Sequence, residues 1–225
     1  MHIAEIRSLS EVPLFVGVDA LGEVHGLGGR HLVRAGTQLF LENCPATTLH
    51  VLLAGKVRVT RCGPGGQVTV LHFAHPGDVL GCAILGGVCL YPGTAEILED
   101  SVVLSFDERA LARLIDRFPI VSRNALRMLS GRMEDLRIRL REMTTARVEE
   151  RIALALIRLD ARQGHGDLRL SRQDLGELVG TTQYTVSRTL TAWERQGWIA
   201  TGRQRVQIHD LEALRQFVAD GADHR

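Results

Sequence analysis

Between Gly36 and Phe106 the apolar residues come in short runs that alternate with polar neighbours. The runs are Leu49-His-Val-Leu-Leu53, Lys56-Val-Arg-Val-Thr60, Gln67-Val-Thr-Val-Leu-His-Phe73 and Ser101-Val-Val-Leu-Ser-Phe106. Turn-forming clusters separate them at Ala54-Gly55, Gly63-Pro-Gly-Gly66 and Pro76-Gly-Asp78. Short, evenly spaced runs of this kind predict antiparallel strands folded into a sandwich or roll. Gly63 to Gly66 lies between two alternating runs, which predicts a hairpin tip. Neither a helix nor a Gly-Lys-Ser/Thr sequence follows those glycines, so they do not read as a phosphate-binding loop.

After Asp107 the period lengthens. A short helix over Asp107–Arg117 stops before Phe118-Pro119, because the residue ahead of a proline is driven out of the helical region. A longer helix then begins. Its residues Leu126, Leu129, Met133, Leu136, Leu140 and Met143 are spaced alternately three and four apart. That is a heptad seam of about two and a half repeats. Arg123, Arg127, Arg132, Arg137, Arg139 and Arg141 flank it, with Glu134, Asp135 and Glu142. An amphipathic helix lying on its own domain is the simpler alternative. A seam this narrow and charge-lined favours pairing with a second helix, and these six apolar residues are the expected dimer interface.

From Thr144 the pattern resets. Val148–Gln163 predicts an amphipathic helix ended by Gly164-His-Gly166, followed by a short strand at Leu168-Arg-Leu170. Ser171 caps a helix with Leu175, Leu178 and Val179 on its apolar side. Gly180 turns the chain, and Thr182 starts a second helix that buries Val186, Leu190 and Trp193 and shows Gln183, Tyr184, Ser187 and Arg188. Two helices joined by a glycine turn, the second with a polar leading edge, form a helix-turn-helix. Arginine can pair bidentately with guanine, and glutamine with adenine, so this edge suits DNA. A strand pair around Trp198-Ile199 and Val206-Gln-Ile208 carries Arg203 and Arg205 beside Gly202, as a phosphate-touching wing would. Asp210 caps a last helix through about Ala219. The expected domains are residues 1–118, a linking helix at 119–144, and residues 145–225.

The chain has 225 residues, 45% hydrophobic and 24% charged, enough for one large or two small folded domains. Its 27 basic and 26 acidic residues leave a net charge of +1, which argues against a nucleic-acid binder until the charge is divided by region. From Cys62 through Glu108 there is no Lys or Arg, while Asp78, Glu96, Glu99, Asp100, Asp107 and Glu108 lie in that stretch. Lys56 is the one lysine of the chain. The arginines collect on the seam helix, the recognition helix and the wing. An acidic first region therefore masks locally basic elements later on.

Four cysteines (Cys44, Cys62, Cys82, Cys89) contain no CxxC pair, which excludes a usual zinc site and a disulfide framework. HxH, HExxH and GxSxG are all absent, so neither a metal-dependent barrel enzyme nor a nucleophile elbow is expected, and no catalytic residue or metal ligand is assigned. No run approaches the roughly 18 apolar residues of a membrane span. Met1 to Ser10 carries Glu5 and Arg7 and lacks a signal-peptide core, so a cytoplasmic protein with no membrane partner is expected.

The pieces in this order resemble the Crp/Fnr superfamily of bacterial transcription regulators from about Leu14 to Val218. The most specific stretch is Leu178-Val-Gly-Thr-Thr-Gln-Tyr-Thr-Val-Ser-Arg188, followed by Trp193-Glu-Arg-Gln-Gly-Trp-Ile199. The first region adds Gly36-Thr37, Leu53-Ala-Gly-Lys-Val57, Pro76-Gly-Asp78 and Leu80-Gly81. The resemblance implies an α+β architecture: an N-terminal antiparallel β-roll (double-stranded β-helix), a long dimerisation helix and a C-terminal winged helix-turn-helix domain. It implies a homodimer on a palindromic operator in double-stranded DNA, with RNA polymerase as a further partner if the protein is an activator. The expected DNA-facing set is Ser171, Arg172, Thr182, Gln183, Tyr184, Ser187, Arg188 and Arg203. Tyr184 stands where the family usually has a glutamate, which accepts from cytosine N4, so the usual half-site is not expected here.

The roll's signal is less determined. Cyclic-AMP binders of the family hold the ribose with a glutamate after the Gly81 position and the phosphate with an arginine about ten residues on. Here Cys82 takes the glutamate position and no cation follows. Burying a phosphate without a cationic partner is costly, so a cyclic nucleotide is disfavoured. Residues 1–43 contain no cysteine, which disfavours an iron-sulfur cluster. Leu80-Gly-Cys-Ala-Ile-Leu85 and Tyr91-Pro-Gly-Thr-Ala95 resemble the dissimilatory nitrate respiration branch, whose members are thought to sense nitric oxide through haem. His72, His75, Cys82 and Cys89 are then candidate ligands. His72 and His75 fall on opposite faces of a regular strand and would not chelate one metal together. The candidate effector pocket is His72, Gly81, Cys82, Cys89, Tyr91 and Thr94. Haem, a redox thiol, another small molecule or no ligand remain open. The expected mechanism is a roll state that sets the angle of the DNA-binding domains through the seam helix, about a hinge at Met143–Arg147.

Overall fold

The computed structural model describes residues 8–87, 90–163 and 166–223. The candidate Cys89, the expected terminator Gly164-His165 and the first residues of the chain lie outside them. Two long strands, β3 (Thr48–Cys62) and β6 (Thr94–Asp107), pair antiparallel and carry the N-terminal unit. β1 (Gly29–Val33) and β2 (Gln38–Phe40) pair with β6, while β4 (Val68–Ala74) and β5 (Val79–Leu80) pair with β3, all antiparallel. The hairpin tip at Gly63–Gly66 is present, closed by Gly63 N donating to Gln67 O at 2.8 Å.

Two strand expectations need correction. Ala54-Gly55 is not a turn: β3 runs through it as one strand, with register shifts between Leu52 and Val57. Gly55 takes φ +97°, open to glycine, and its Cα lies so close to Ser101 that a Cβ would fall 2.1 Å from the serine Oγ. The ladder to β6 resumes on either side, at Ala54↔Val102 and Lys56↔Glu99. Likewise Ser101–Phe106 is only the second half of β6, which already begins at Thr94.

The bulge has a packing consequence. Before it, Leu49, Val51 and Leu53 belong to one core and Leu52 to another; after it, the odd-numbered Val57 and Val59 join the second core. Extra residues in a strand reverse which side chains face which side. β3 thereby feeds both the inside of the roll (Leu52, Val57, Val59) and the layer under the helices (Leu49, Val51, Leu53), and β6 adds Ala95, Ile97 and Val103 to the first and Leu104 and Phe106 to the second.

Three helices pack on that second layer. α1 (Leu21–Leu27) contributes Val24. α2 (Glu108–Arg117) starts where Asp107 Oδ1 accepts from Ala110 N at 2.7 Å and buries Ala110, Leu111 and Leu114. α3 (Ile120–Thr145) buries Val121 and Ala125 there, and Asn124 Nδ2 donates to the carbonyls of Leu14 and Val16 at 3.1 and 2.8 Å. The chain accordingly divides inside α3, into units Met1–Glu134 and Asp135–Arg225, rather than at the helix ends.

The second unit holds the end of α3, then α4 (Val148–Gln163), β7 (Asp167–Leu168), α5 (Arg172–Val179), α6 (Gln183–Arg195), β8 (Ile199–Gly202), β9 (Arg205–Ile208) and α7 (Leu211–Asp223). Its core joins Ile152, Leu156, Leu168, Leu175, Val186, Leu190, Trp193, Ile199, Val206 and Leu214. The strands form a small sheet in the order β7-β9-β8. β7 is shorter than the expected Leu168–Leu170, because Leu170 is drawn into the core as the chain extends toward the Ser171 cap. α7 runs past Ala219, from the expected cap: Asp210 Oδ1 accepts from Ala213 N at 2.9 Å.

The expected hinge at Met143–Arg147 is braced. Glu142 pairs with Arg158 of α4, and Glu150 Oε2 accepts from Arg147 N at 3.0 Å. Arg151 donates to Ala146 O at 3.2 Å and to Val179 O at 3.0 Å, joining the end of α3 to the end of α5. Backbone carbonyls inside a helical unit need partners, and one guanidinium serves three here, Gly180 O at 3.5 Å being the third.

Candidate nucleic-acid interface

α5 and α6 arise from strong local signals. Ser171 Oγ accepts from Asp174 N at 2.9 Å, and Asp174 Oδ2 accepts from Ser171 N at 3.2 Å, a reciprocal capping box. Gly180 ends α5 in the turn, and Thr182 Oγ1 accepts from Thr185 N at 3.2 Å to start α6. The hydroxyls of Ser171 and Thr182, both expected at the DNA, are thus engaged in capping. α6 inserts Val186, Leu190 and Trp193 into the core, each burial stabilising by roughly 1.5–3 kcal/mol. Trp193 also packs edge-on to Phe217, with ring centroids 5.6 Å apart.

With that face fixed, Gln183, Tyr184 and Arg188 are exposed and Ser187 is half-buried. Arg188 reaches toward Glu149 Oε1 at 3.8 Å, both side chains well hydrated. A surface pair of this kind contributes about 0–1 kcal/mol, so the guanidinium can exchange it readily for a base or phosphate.

The wing is tied to both helices through residues that the sequence reading passed over. Thr201, on β8, accepts through Oγ1 from Arg172 Nη2 at 3.1 Å, and its backbone N donates to Glu194 Oε1 of α6 at 2.7 Å. Arg172, an expected DNA contact, is thereby oriented by the wing. Arg205 is matched by Asp167 of β7. Arg203, by contrast, is exposed at the hairpin and has no ion-pair partner among the described residues. Arg172, Gln183, Thr201, Arg203 and Arg205 line a groove of about 410 Å³ that joins the front of α6 to the wing. A cationic, hydrogen-bonding groove beside an exposed helix face suits a sugar-phosphate backbone.

The seam on α3 is largely uncovered. Leu126 is 67% exposed and Leu136 62%, and Met133, Leu140 and Met143 are similar, while Leu129 is half-buried.

The effector candidates fall into two groups at opposite ends of β3. Gly81 and Cys82 follow β5, which pairs with His50 and Val51, and Gly81 packs against the Thr48 carbonyl and the Tyr91 ring. Tyr91 is a structural residue: its hydroxyl donates to Thr48 O at 2.9 Å and accepts from Thr48 N at 3.1 Å, and its ring stacks on Phe40 at 4.1 Å. His72 and Thr94 lie at the other end, paired with Val59 and Thr60, and Thr94 Oγ1 accepts from Glu42 N at 3.0 Å. The spacing along the chain gave no sign of this separation. It also hid a cation: Arg132 of α3 reaches the acidic stretch, donating to Val79 O and, at 3.2 Å, to Cys82 Sγ. Burial pushes the Cys82 thiol up, with Arg132 opposing and Asp78 reinforcing the shift. Among the described residues no three His, Cys, Asp or Glu side chains are grouped to hold a metal ion. No helix among them is long and apolar enough to cross a membrane.

Residues 30–118 match the cyclic nucleotide-binding domain family, and residues 150–217 match the Crp-like helix-turn-helix domain family. The nitrogen fixation regulation protein FixK of Bradyrhizobium diazoefficiens is 30% identical over 204 residues, 86% of this chain and 85% of that protein. The cyclic AMP receptor protein of Thermus thermophilus is 29% identical over 189 residues, 84% and 87% of the two chains. Among solved structures, FixK2 from Bradyrhizobium japonicum superposes with a TM-score of 0.76 at 24% identity, over 84% of this chain and 96% of that one. At that identity the likeness is one of fold.

Proposed function

We propose, from the premise that this chain belongs to the Crp/Fnr family of transcription regulators, that it binds a palindromic operator as a homodimer. The observation that carries the reading is α6: three core anchors on one side and Tyr184, Ser187 and Arg188 outward at its N-terminal half, beside a cationic wing groove. In a major groove those outward residues meet base edges, while Arg172 and Arg203 meet phosphates. Two copies paired along Leu126, Leu129, Met133, Leu136, Leu140 and Met143 would cover the exposed seam and present two such helices to symmetric half-sites. The protein works in the cytoplasm, carries out no catalysis, and meets RNA polymerase where it activates.

The roll supplies the signal, and we infer that it is not a cyclic nucleotide. The Thermus relative is named for cyclic AMP. In this chain the stretch Cys62–Glu108 has no Lys or Arg, and the arginines that reach it from neighbouring elements are already engaged, Arg132 by Val79 O and Cys82 Sγ and Arg58 by Glu96 at 2.8 Å. A haem held by the Cys82 thiolate is disfavoured. A thiolate ligand needs a lowered thiol pKa, and burial drives Cys82 the other way.

Gel shifts with a competitor pool test the DNA reading, and absence of any sequence-selective complex would remove it. Leu136→Asp, which places a charge in the seam, should abolish operator binding and yield a monomer in sedimentation. Unchanged affinity in that variant would remove the dimer.

A further inference from the structure

Tyr184 is 76% exposed, on the first turn of the recognition helix, and makes no hydrogen bond among the described residues. Val186, Leu190 and Trp193 point inward, so Tyr184, Ser187 and Arg188, three and four residues apart, share the outward face. We propose that Tyr184 is a specificity-determining residue that reads the 5-methyl group of a thymine in each half-site. This rests on the reading of α6 as the helix that enters the major groove.

The chemistry leaves few choices. A phenol brings no negative charge to the amino donor of cytosine; it brings a flat apolar ring with a hydroxyl at its tip. The thymine methyl is the apolar group that base pairs display in the major groove. Against a methyl, the ring removes apolar surface from water on both sides. Against the edge of a G·C pair, the ring would strip water from several polar base atoms, and the single hydroxyl could replace only part of their hydrogen bonding. The ring therefore selects T·A.

Geometry places that pair. Arg188 lies about 6 Å further along α6, at about 1.5 Å rise per residue, and base pairs are spaced by about 3.4 Å. Where Arg188 meets a guanine, the thymine read by Tyr184 thus falls within about two base pairs of it.

The test begins by selecting duplexes from a random pool with the full-length protein. A T·A pair should be enriched at a position of each half-site whose preference disappears in Tyr184→Ala, and within two positions of any G·C preference that disappears in Arg188→Ala. Replacing that thymine by uracil, which removes only the methyl, should weaken wild-type binding about fourfold, the ratio given by ~0.8 kcal/mol per buried methyl-sized group. Tyr184→Phe should keep the effect, Tyr184→Ala should lose it, and Tyr184→Glu should select C·G at that position. The side chain is exposed, so these variants fold alike. Equal affinity of the wild type for thymine and uracil sites would overturn the proposal. So would loss of the effect in Tyr184→Phe, because the hydroxyl would then be the reader. A pool that yields no enriched sequence would instead remove the DNA-binding reading itself.

Discussion

The Arg132 guanidinium, on the helix that carries the seam, donates to the Cys82 sulfur at 3.2 Å across 50 residues of chain. It also donates to the Val79 carbonyl, so one side chain fastens α3 to the segment that leaves β5. A protonated guanidinium favours the thiolate, while the surrounding burial disfavours it more strongly. Replacing Arg132 by Met removes the opposing charge. The pH at which Cys82 reaches half its maximal labelling rate with iodoacetamide should then rise further. Because no Lys or Arg separates Cys62, Cys82 and Cys89, cleavage before Asp78 followed by fragment-level mass spectrometry separates this site from Cys89 and from the exposed Cys44 and Cys62. A midpoint that stays put or falls would show that the guanidinium does not act on the thiol.

His50 makes the stability of the roll depend on pH. It is buried, its Nδ1 lies 2.8 Å from Ser105 Oγ, and burial, aided by His31, lowers its pKa from 6.5 to about 4. A lowered histidine pKa means that the unfolded chain binds the proton more readily than the folded one. Above pH 6.5 both states are neutral at this site and nothing is lost. As the pH falls from 6.5 to 4, stability should drop by roughly 3 kcal/mol, and it should level off below that. Urea unfolding of wild type and His50→Gln across this range measures the difference. Parallel pH profiles for the two proteins would remove His50 as the cause.

Gly55 should tolerate no side chain. An alanine Cβ would lie 2.1 Å from Ser101 Oγ and 2.8 Å from Ser101 Cα, in a backbone conformation that L residues avoid. Main-chain atoms of a central strand cannot retreat cheaply, so Gly55→Ala should cost more than ~2 kcal/mol in urea unfolding. A loss below ~1 kcal/mol, the ordinary cost of strain alone, would mean that the β3–β6 approach is looser than described.

Arg188→Ala separates two modes of contact. If the guanidinium meets a guanine, roughly 1–3 kcal/mol of discrimination should vanish at one base pair, with other positions unchanged. If it meets a phosphate, affinity should fall alike on all sequences and the salt dependence should become shallower. Titrations of the selected operator and its point variants at two salt concentrations tell these apart.

The helix-turn-helix could be read residue by residue because its signals are short-range. The Ser171 and Thr182 caps, the Gly180 turn and the buried positions of α6 all lie within about two turns of the residues they govern. The same holds for the hairpin at Gly63–Gly66 and for the seam on α3, whose apolar spacing is local even though what covers it is not. Ala54-Gly55 departs from the turn its sequence predicts for the opposite reason. A glycine after a run of strand residues serves a turn or a bulge equally well, and the outcome depends on whether a distant strand, here β6, offers partners on both sides. The effector candidates split between the ends of β3 for the same cause. Arg132 meets Cys82, and Arg172 meets Thr201, through side chains brought together over 50 and 29 residues. Periodicity along a chain records which face of an element seeks burial or water. Which other element meets that face is set by loop closure and mutual packing, and those have no local trace.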